Sequence, residues 1–217
     1  MKKTLYAIGI GVDPGKHLSQ EALALIEGAA VAFAPRVRGK SRAWEAVQEK
    51  WQGPTPMFLD YAMSRDQDPE RTDLLHSEEI AEKIPEGGYG VFLTIGDALI
   101  YSTVERFQRN PQLDLRYVPG IPSYMAAFHR KGWPLVRQGE CFLLMDAYEA
   151  KKASMAESLA ILKIGDRAKE IGASLKDLGF HFYYCEKMGS PEERIWPLDR
   201  VPEKGCYMSL MIARKAL

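Results

Sequence analysis

The first 120 residues alternate short apolar runs with stretches whose apolar positions recur every three or four residues, the ordering that α/β layering produces. Residues 4–10 (TLYAIGI) read as a buried strand, and residues 11–17 as the loop that leaves it. In SQEALALIEGA, Ser19 is placed to cap a helix, Ala22, Leu23, Leu25 and Ile26 supply its apolar face, and Gly28 ends it. Residues 30–33 form a second strand. Pro35 then opens a basic stretch with Arg36, Arg38, Lys40 and Arg42, and residues 41–51 read as a helix. A third strand covers residues 57–59. The step Asp68-Pro69 suits the start of a helix that runs through Lys83. Past the turn at Gly87, Gly88 and Gly90, residues 91–95 form a buried strand that ends in a tight loop at Gly96 and Asp97. A helix over 102–108, a strand over 114–118 and a turn at Pro119-Gly120 complete this half.

The second half repeats the alternation with different spacing. Residues 141–145, 159–164, 181–185 and 207–212 read as strands, and residues 151–157 and 167–178 as helices. The pattern predicts two α/β domains, 1–119 and 120–217, rather than one continuous sheet. A chain of 217 residues suits either one large domain or two modest ones.

Charge and cysteine usage narrow the partners. With 29 basic and 29 acidic residues there is no global field to recruit nucleic acid or a membrane surface. Cys141, Cys185 and Cys206 make an odd set with no C-x-x-C pair, which argues against a structural zinc site and against a disulfide framework. His17, His76, His129 and His181 are scattered without ligand spacing, so no metal is expected. MKKTLYAIGIG is broken by glycines and Asp13 and makes a poor signal peptide, and no stretch approaches the roughly 20 apolar residues of a membrane span. The expectation is a cytoplasmic protein.

Ligands of open α/β sheets lie beyond the carboxyl ends of the strands, where loops gather main-chain amides. Three loops fit that position: residues 11–17, 95–103 and 119–124. The first, in GIGVDPG, imitates the dinucleotide pattern G-x-G-x-x-G, but Gly15 comes one residue late and Pro14 removes an N–H that a pyrophosphate would need.

Taken together, GVDPG after the first strand, GDALIYST after a middle strand, then YVPGIPSY and LAILKIGDRAKEI form a far more specific set. It resembles the tetrapyrrole (corrin/porphyrin) methyltransferase family, whose patterns read approximately G-x-G-P-G-D, G-D-P-x-x-Y-S-T, V-P-G-I-x-S and M-K-V. Within it the chain is most similar to the precorrin-2 and cobalt-factor II C(20)-methyltransferases. LDYAMSRD resembles a subgroup stretch F-P-M-T-x-D, and GSPEERIWPL and YMSLMI extend the likeness over almost the entire chain.

The resemblance implies two α/β domains with an active-site cleft between them, S-adenosyl-L-methionine as methyl donor, a small-molecule tetrapyrrole as substrate, and a homodimer. Residue by residue, it places donor contacts at Pro14, Ile95, Gly96, Asp97, Ile100, Ser102, Thr103, Pro122, Ser123, Leu162, Gly189 and Tyr207. The substrate of that pathway carries eight carboxylates, which should meet cations; Arg36, Arg38 and Arg65 are the candidates. Asp13 stands where the family prefers glycine, Lys16 where it prefers an acid, Ala98 where it has proline and Pro122 where it usually has threonine. Asp97 has two readings, a carboxylate facing a cationic donor or an Asx-turn that shapes its loop. Ser102 and Thr103 likewise either touch the donor or cap a helix. No catalytic base or triad is identifiable, which suits a transfer whose donor is already activated. Two other functions stay open: methylation of another ring carbon or substrate, and donor binding without turnover.

Overall fold

The structure, a computed structural model, describes residues 1–61 and 68–215. The chain divides into two compact units, Met1–Pro122 and Ser123–Leu217.

The first unit is a five-stranded sheet of order β3-β2-β4-β1-β5, parallel throughout, made of β1 (Lys3–Gly9), β2 (Val31–Val37), β3 (Met57–Tyr61), β4 (Tyr89–Thr94) and β5 (Leu113–Val118). A parallel sheet is covered on both faces, and the strands are accordingly apolar on both. One face packs Ile8, Ile10, Ala32, Ala34, Val91 and Leu93 against α2 (Gln20–Glu27) and α3 (Arg42–Val47). The other packs Leu5, Ala7, Phe33, Leu59 and Phe92 against α4 (Pro69–Lys83) and a 3-10 helix, Thr103–Arg109. Ser19, Ser41 and Asp68 cap α2, α3 and α4 by accepting from Ala22, Trp44 and Glu70 N–H groups, each worth about 1 kcal/mol.

Several boundaries differ from the sequence reading. Residues 11–17 are not all loop, because Pro14 opens a helical turn, α1 (Pro14–His17), closed by Lys16 and His17 N–H groups on the Asp13 carbonyl at 2.9 and 2.8 Å. Strand β2 runs four residues past Phe33, through Pro35. Its pairing with β4 stops at Phe33, so Pro35 lies where β2 has one neighbour and a missing N–H is tolerated. The helix expected over 41–51 ends as α3 at Val47 and continues only as a 3-10 turn, Gln48–Lys50. Leu23, assigned to the apolar face of α2, is 39% exposed, and the buried positions are Ala22 and Ile26.

The second unit begins with α5 (Ser123–Lys131), followed by β6 (Phe142–Met145), α6 (Ala150–Ala153), β7 (Ser158–Leu162), α7 (Ala168–Asp177), β8 (Phe180–Glu186), β9 (Arg194–Pro197) and β10 (Ser209–Lys215). Its sheet order is β6-β7-β10-β8-β9, with only β6 and β7 parallel. Neither α5 nor β9 stands out in the sequence pattern. Strand β9, RIWP, is only four residues long with exposed Arg194 and Pro197 at its ends, so no apolar run marks it. The helix expected over 151–157 is a single turn, and β10 starts at Ser209, two residues after Tyr207. Arg214 on β10 is 1% exposed, bonded in bidentate fashion to Glu140 and donating to the Pro134 carbonyl at 2.9 Å.

Among the described residues no helix is long and apolar enough to cross a membrane.

Candidate active site

Strands β4, β1 and β5 lie side by side, and the three loops leaving their carboxyl ends are knotted by glycines. The Gly11 N–H donates to the Gly96 carbonyl at 3.0 Å, and the Gly96 N–H returns to the Gly11 carbonyl at 3.1 Å. Gly120, at the end of β5, packs into the same point. A Cβ there would fall 2.1 Å from the Gly96 oxygen and 2.5 Å from the Gly9 oxygen, closer than any side chain tolerates. Beyond the knot the chain from β1 leads to α2 on one face, and the chain from β4 leads to the 3-10 helix on the other. Adjacent strands whose connections part to opposite faces define the crevice in which open α/β sheets hold their ligands.

Asp97 reinforces the knot. Its Oδ1 accepts from the Leu99 N–H at 2.8 Å and its Oδ2 from the Gly120 N–H at 3.0 Å. The Asx-turn reading is therefore the observed one, with an addition: the second oxygen fastens the loop after β5 to the loop after β4. Ile95 and Ile100 are half-buried beside it. Ser102 caps the 3-10 helix, accepting from Val104 N–H at 3.3 Å, and its hydroxyl lies 3.4 Å from that of Thr94. Thr103, the first residue of that helix, is exposed, and Pro122 is buried 3.6 Å from where a Gly96 Cβ would stand. Pro14 opens α1 at the end of the first loop, and Ser123 opens α5 in the second unit.

The departures from the family pattern acquire physical reasons. Asp13 has φ −126°, a conformation open to any residue, so no glycine is required there. Its carboxylate pairs with Lys16 at 2.8 Å. The two departures thus pair with each other, an acid at 13 and a base at 16 within one turn. Ala98 is 1% exposed and belongs to the core beneath the loop.

Arg36 and Arg38 stand at the same carboxyl edge, at the end of β2. Arg36 faces Asp60 across the β2/β3 register and is bidentate to it at 2.6 and 2.5 Å, with its guanidinium 5.3 Å from the Phe58 ring. The Arg36 hydrogen bond holds the Asp60 carboxyl below the usual carboxylate range. Arg38 is exposed in the turn that follows. Arg65 lies outside the described residues.

In the second unit, Leu162 ends β7, Gly189 follows β8 and Tyr207 precedes β10. The Lys163 N–H donates to the Ser209 carbonyl at 3.0 Å and the Lys187 N–H to Met208 at 2.9 Å, so the three positions share one edge of that sheet. Tyr207 is 69% exposed.

Backbone strain marks the same places. The non-glycine residues with positive φ among the described ones are Arg38, Tyr101, Lys163 and Lys187, at 50°, 48°, 57° and 48°. Arg38, Lys163 and Lys187 directly follow the ends of β2, β7 and β8, Tyr101 lies in the loop after β4, and two of the four stand inside the motifs YST and LKI. A left-handed side chain costs on the order of 1 kcal/mol and persists where the surroundings impose it.

Sequence reasoning missed a buried polar group behind the loop after β4. Asp73 on α4 is 3% exposed and accepts from Arg106 of the 3-10 helix at 2.8 Å. Tyr61, at the end of β3, lies against Asp73 and Thr103, and its ring meets that of His76 edge-on with centroids 4.6 Å apart. Burial, then the Asp73 charge, pushes the Tyr61 phenol up, and burial holds the His76 imidazole below 6.5 against the pull of Glu79, Asp73 and Asp60. The usable signal was the stripe Asp73, Ser77, Ile80, Ala81 and Ile84, whose helical spacing puts an acid on a buried face. Among the described residues no group of three or more His, Cys, Asp or Glu is placed to hold a metal ion.

A parallel sheet with loops knotted at its carboxyl edge, joined in sequence to a second α/β unit with a mainly antiparallel sheet, defines a class of α/β protein that presents main chain to a small molecule. Residues 4–201 match the family described as Tetrapyrrole (Corrin/Porphyrin) Methylases, and the chain belongs to that family. A relative from Methanocaldococcus jannaschii named "Probable cobalt-precorrin-2 C(20)-methyltransferase" is 27% identical, the match covering 98% of this chain and 96% of the relative. Among solved structures, a cobalt precorrin-4 methyltransferase aligns with TM-score 0.72 at 16% identity, over 97% of this chain and 94% of that one. A uroporphyrin-III C-methyl transferase from Thermus thermophilus, complexed with S-adenyl homocysteine, aligns with TM-score 0.68 at 21% identity, over 97% of both chains. These structures establish that the fold is that of the tetrapyrrole methylases.

Proposed function

We propose that the protein is an S-adenosylmethionine-dependent C-methyltransferase of cobalamin biosynthesis that methylates C(20) of precorrin-2 or cobalt-factor II. The observation that carries this reading is the glycine knot, which joins the loops after β1, β4 and β5 at one edge of the sheet. The archaeal relative supports the choice of ring carbon.

The residues present fit the donor. Close main chain at Gly96 and Gly120, the half-buried Ile95 and Ile100, and the hydroxyls of Ser102 and Thr103 suit a flat adenosyl group with small polar ends. When bound, S-adenosylmethionine would supply a sulfonium-activated methyl group open to in-line attack by a nucleophilic ring carbon, with the methyl–sulfur bond broken and S-adenosylhomocysteine released as the leaving group. The protein's part is to align and to exclude water. In this reading Ile95, Gly96, Ile100, Ser102, Thr103 and Pro122 hold the donor from the first unit, with Pro14 beside them. Ser123, Leu162, Gly189 and Tyr207 contribute from the second. Asp97 acts mainly on the loops, since both its oxygens already accept main-chain N–H groups. Arg36, Arg38 and Arg65 receive substrate carboxylates by charge-assisted hydrogen bonds. The Nε and Nη2 donors of Arg36 are taken up by Asp60, so in this reading a substrate carboxylate meets its Nη1 side or displaces Asp60. The active species in this reading is a homodimer.

Incubation with labelled S-adenosylmethionine and either precorrin-2 or cobalt-factor II tests the proposal. A gain of one methyl at C(20) is expected. Methylation elsewhere on the ring would reassign the position, and tight donor binding without product would make the protein a donor binder.

A further inference from the structure

Apart from the knot, the most unusual chemistry in the first unit is the half-satisfied polar group around Asp73. Its Oδ2 is bonded to Arg106 at 2.8 Å, but its Oδ1 is buried with no hydrogen-bond partner among the described residues. The Tyr61 hydroxyl and His76 Nδ1 are likewise buried without a partner in good hydrogen-bond geometry, although Asp73 and Thr103 are close enough to act on the Tyr61 hydroxyl. On stability alone this is a poor arrangement, because a buried carboxylate with one open oxygen is worse than an apolar residue of the same size. Its neighbours suggest a different use. Arg106 and Thr103 belong to the same 3-10 helix, and Tyr61 lies against both Asp73 and Thr103. The far end of that helix is fastened to α4 as well, through Asn110 Nδ2 donating to Ser77 Oγ at 3.2 Å. Helix α4 therefore holds the 3-10 helix by polar contacts at its middle, Arg106, and at its far end, Asn110, and the apolar Val104 and Phe107 of that helix are fully buried.

We propose that Asp73 is a positioning residue for the methyl donor: acting through Arg106 and Tyr61, it sets the Ser102–Thr103 turn against which the donor lies. The inference rests on the donor reading above. Asp73 never touches the donor. Its charge holds Arg106, one turn past Thr103 in the same 3-10 helix.

The test compares binding of S-adenosylhomocysteine by calorimetry in the unaltered chain, Asp73→Asn, Tyr61→Phe and Arg214→Met. Asp73→Asn keeps the shape and removes the charge. Its Kd is expected to rise roughly 2- to 30-fold, the usual range for a residue acting through others, while its Tm stays level or rises. Tyr61→Phe should raise Kd less, and Arg214→Met, in the second unit, should leave Kd unchanged. In turnover the KM for S-adenosylmethionine should rise with the tetrapyrrole KM unaltered, a split that a general loss of packing would not give. Wild-type affinity in both Asp73→Asn and Tyr61→Phe overturns the inference alone. If Asp73→Asn does not fold, the Tyr61→Phe result decides. Absence of binding to the unaltered chain overturns the donor reading and this inference with it.

Discussion

Among the described residues, each unit has an ion pair with one partner almost fully buried, with opposite polarity. In the first, the acid is inside: Asp73 is 3% exposed and its partner Arg106 is 38% exposed. In the second, the base is inside: Arg214 is 1% exposed and Glu140 is 19% exposed. The satisfaction of the two also differs. Arg214 is anchored three ways, by both Glu140 oxygens and the Pro134 carbonyl, with only its Nε open. Asp73 has one oxygen and two neighbouring groups left open. A nearly saturated pair pins a connecting segment to a strand, whereas an unsaturated one sits behind the loops proposed to meet the donor. The same contrast holds for the sheets. The parallel sheet of the first unit sends all its carboxyl ends to one edge, so its loops can be knotted together. The mainly antiparallel sheet of the second alternates its ends and places Leu162, Gly189 and Tyr207 at an edge where two strands finish and one begins.

Substitutions can break this contrast. The largest effect is expected from Arg214→Ala, which leaves Glu140 and the Pro134 carbonyl without their donor and opens a cavity. Urea unfolding should show a loss of roughly 3–5 kcal/mol, with S-adenosylhomocysteine affinity retained in the folded fraction. Gly120→Ala should do the reverse in emphasis. A stability loss of roughly 1–3 kcal/mol is expected from forcing a Cβ against the Gly96 and Gly9 oxygens, and donor binding should disappear in calorimetry. Equal effects of these two variants on binding would erase the distinction between the units.

Asp97→Asn is subtler. An amide keeps one acceptor and turns its NH₂ toward a main-chain N–H, so either the Leu99 or the Gly120 bond fails, a loss of about 1 kcal/mol. Donor affinity should fall several-fold, and unchanged affinity would show that the clasp between the loops is dispensable.

The smallest effect separates the units by pH. His76 has its folded pKa held below 6.5, chiefly by burial, while Glu79, Asp73 and Asp60 pull the other way. Below 6.5 the unfolded chain takes up the proton that the folded one resists, so stability of the first unit declines as pH falls through that region. Glu140 has a carboxyl held below 4.5, first by the Arg214 hydrogen bond. Its contribution is complete above 4.5 and is lost only as pH drops further, through the lowered value. Hydrogen exchange should therefore report loosening of α4 before β10 on acidification, and His76→Phe should remove the earlier phase.

Most strands of the first unit were legible because a doubly covered strand reads as an unbroken apolar run, and the capped helices because Ser19 and Asp68-Pro69 act locally. The motifs GDALIYST and YVPGIPSY pointed to the loops of the glycine knot for the same reason: their glycines and hydroxyls announce turns. Strand β9 and helix α5 were not legible. A four-residue edge strand with two exposed ends carries no periodicity, and α5 follows a proline-rich turn that masks its start.

By itself the amino-acid order determined most of the strands and turns and the likeness to a methylase family, because these depend on neighbours a few residues apart. Only the tertiary structure decided that Asp97 clasps Gly120 instead of presenting its charge, that Asp13 and Lys16 satisfy each other, and that Asp73 lies buried behind Thr103. Each of those depends on which groups the packed sheet brings within hydrogen-bond distance, 3.0 Å in the case of Asp97 and a glycine 23 positions later. Such distances are set by strand order and helix packing, which no local pattern of residues encodes.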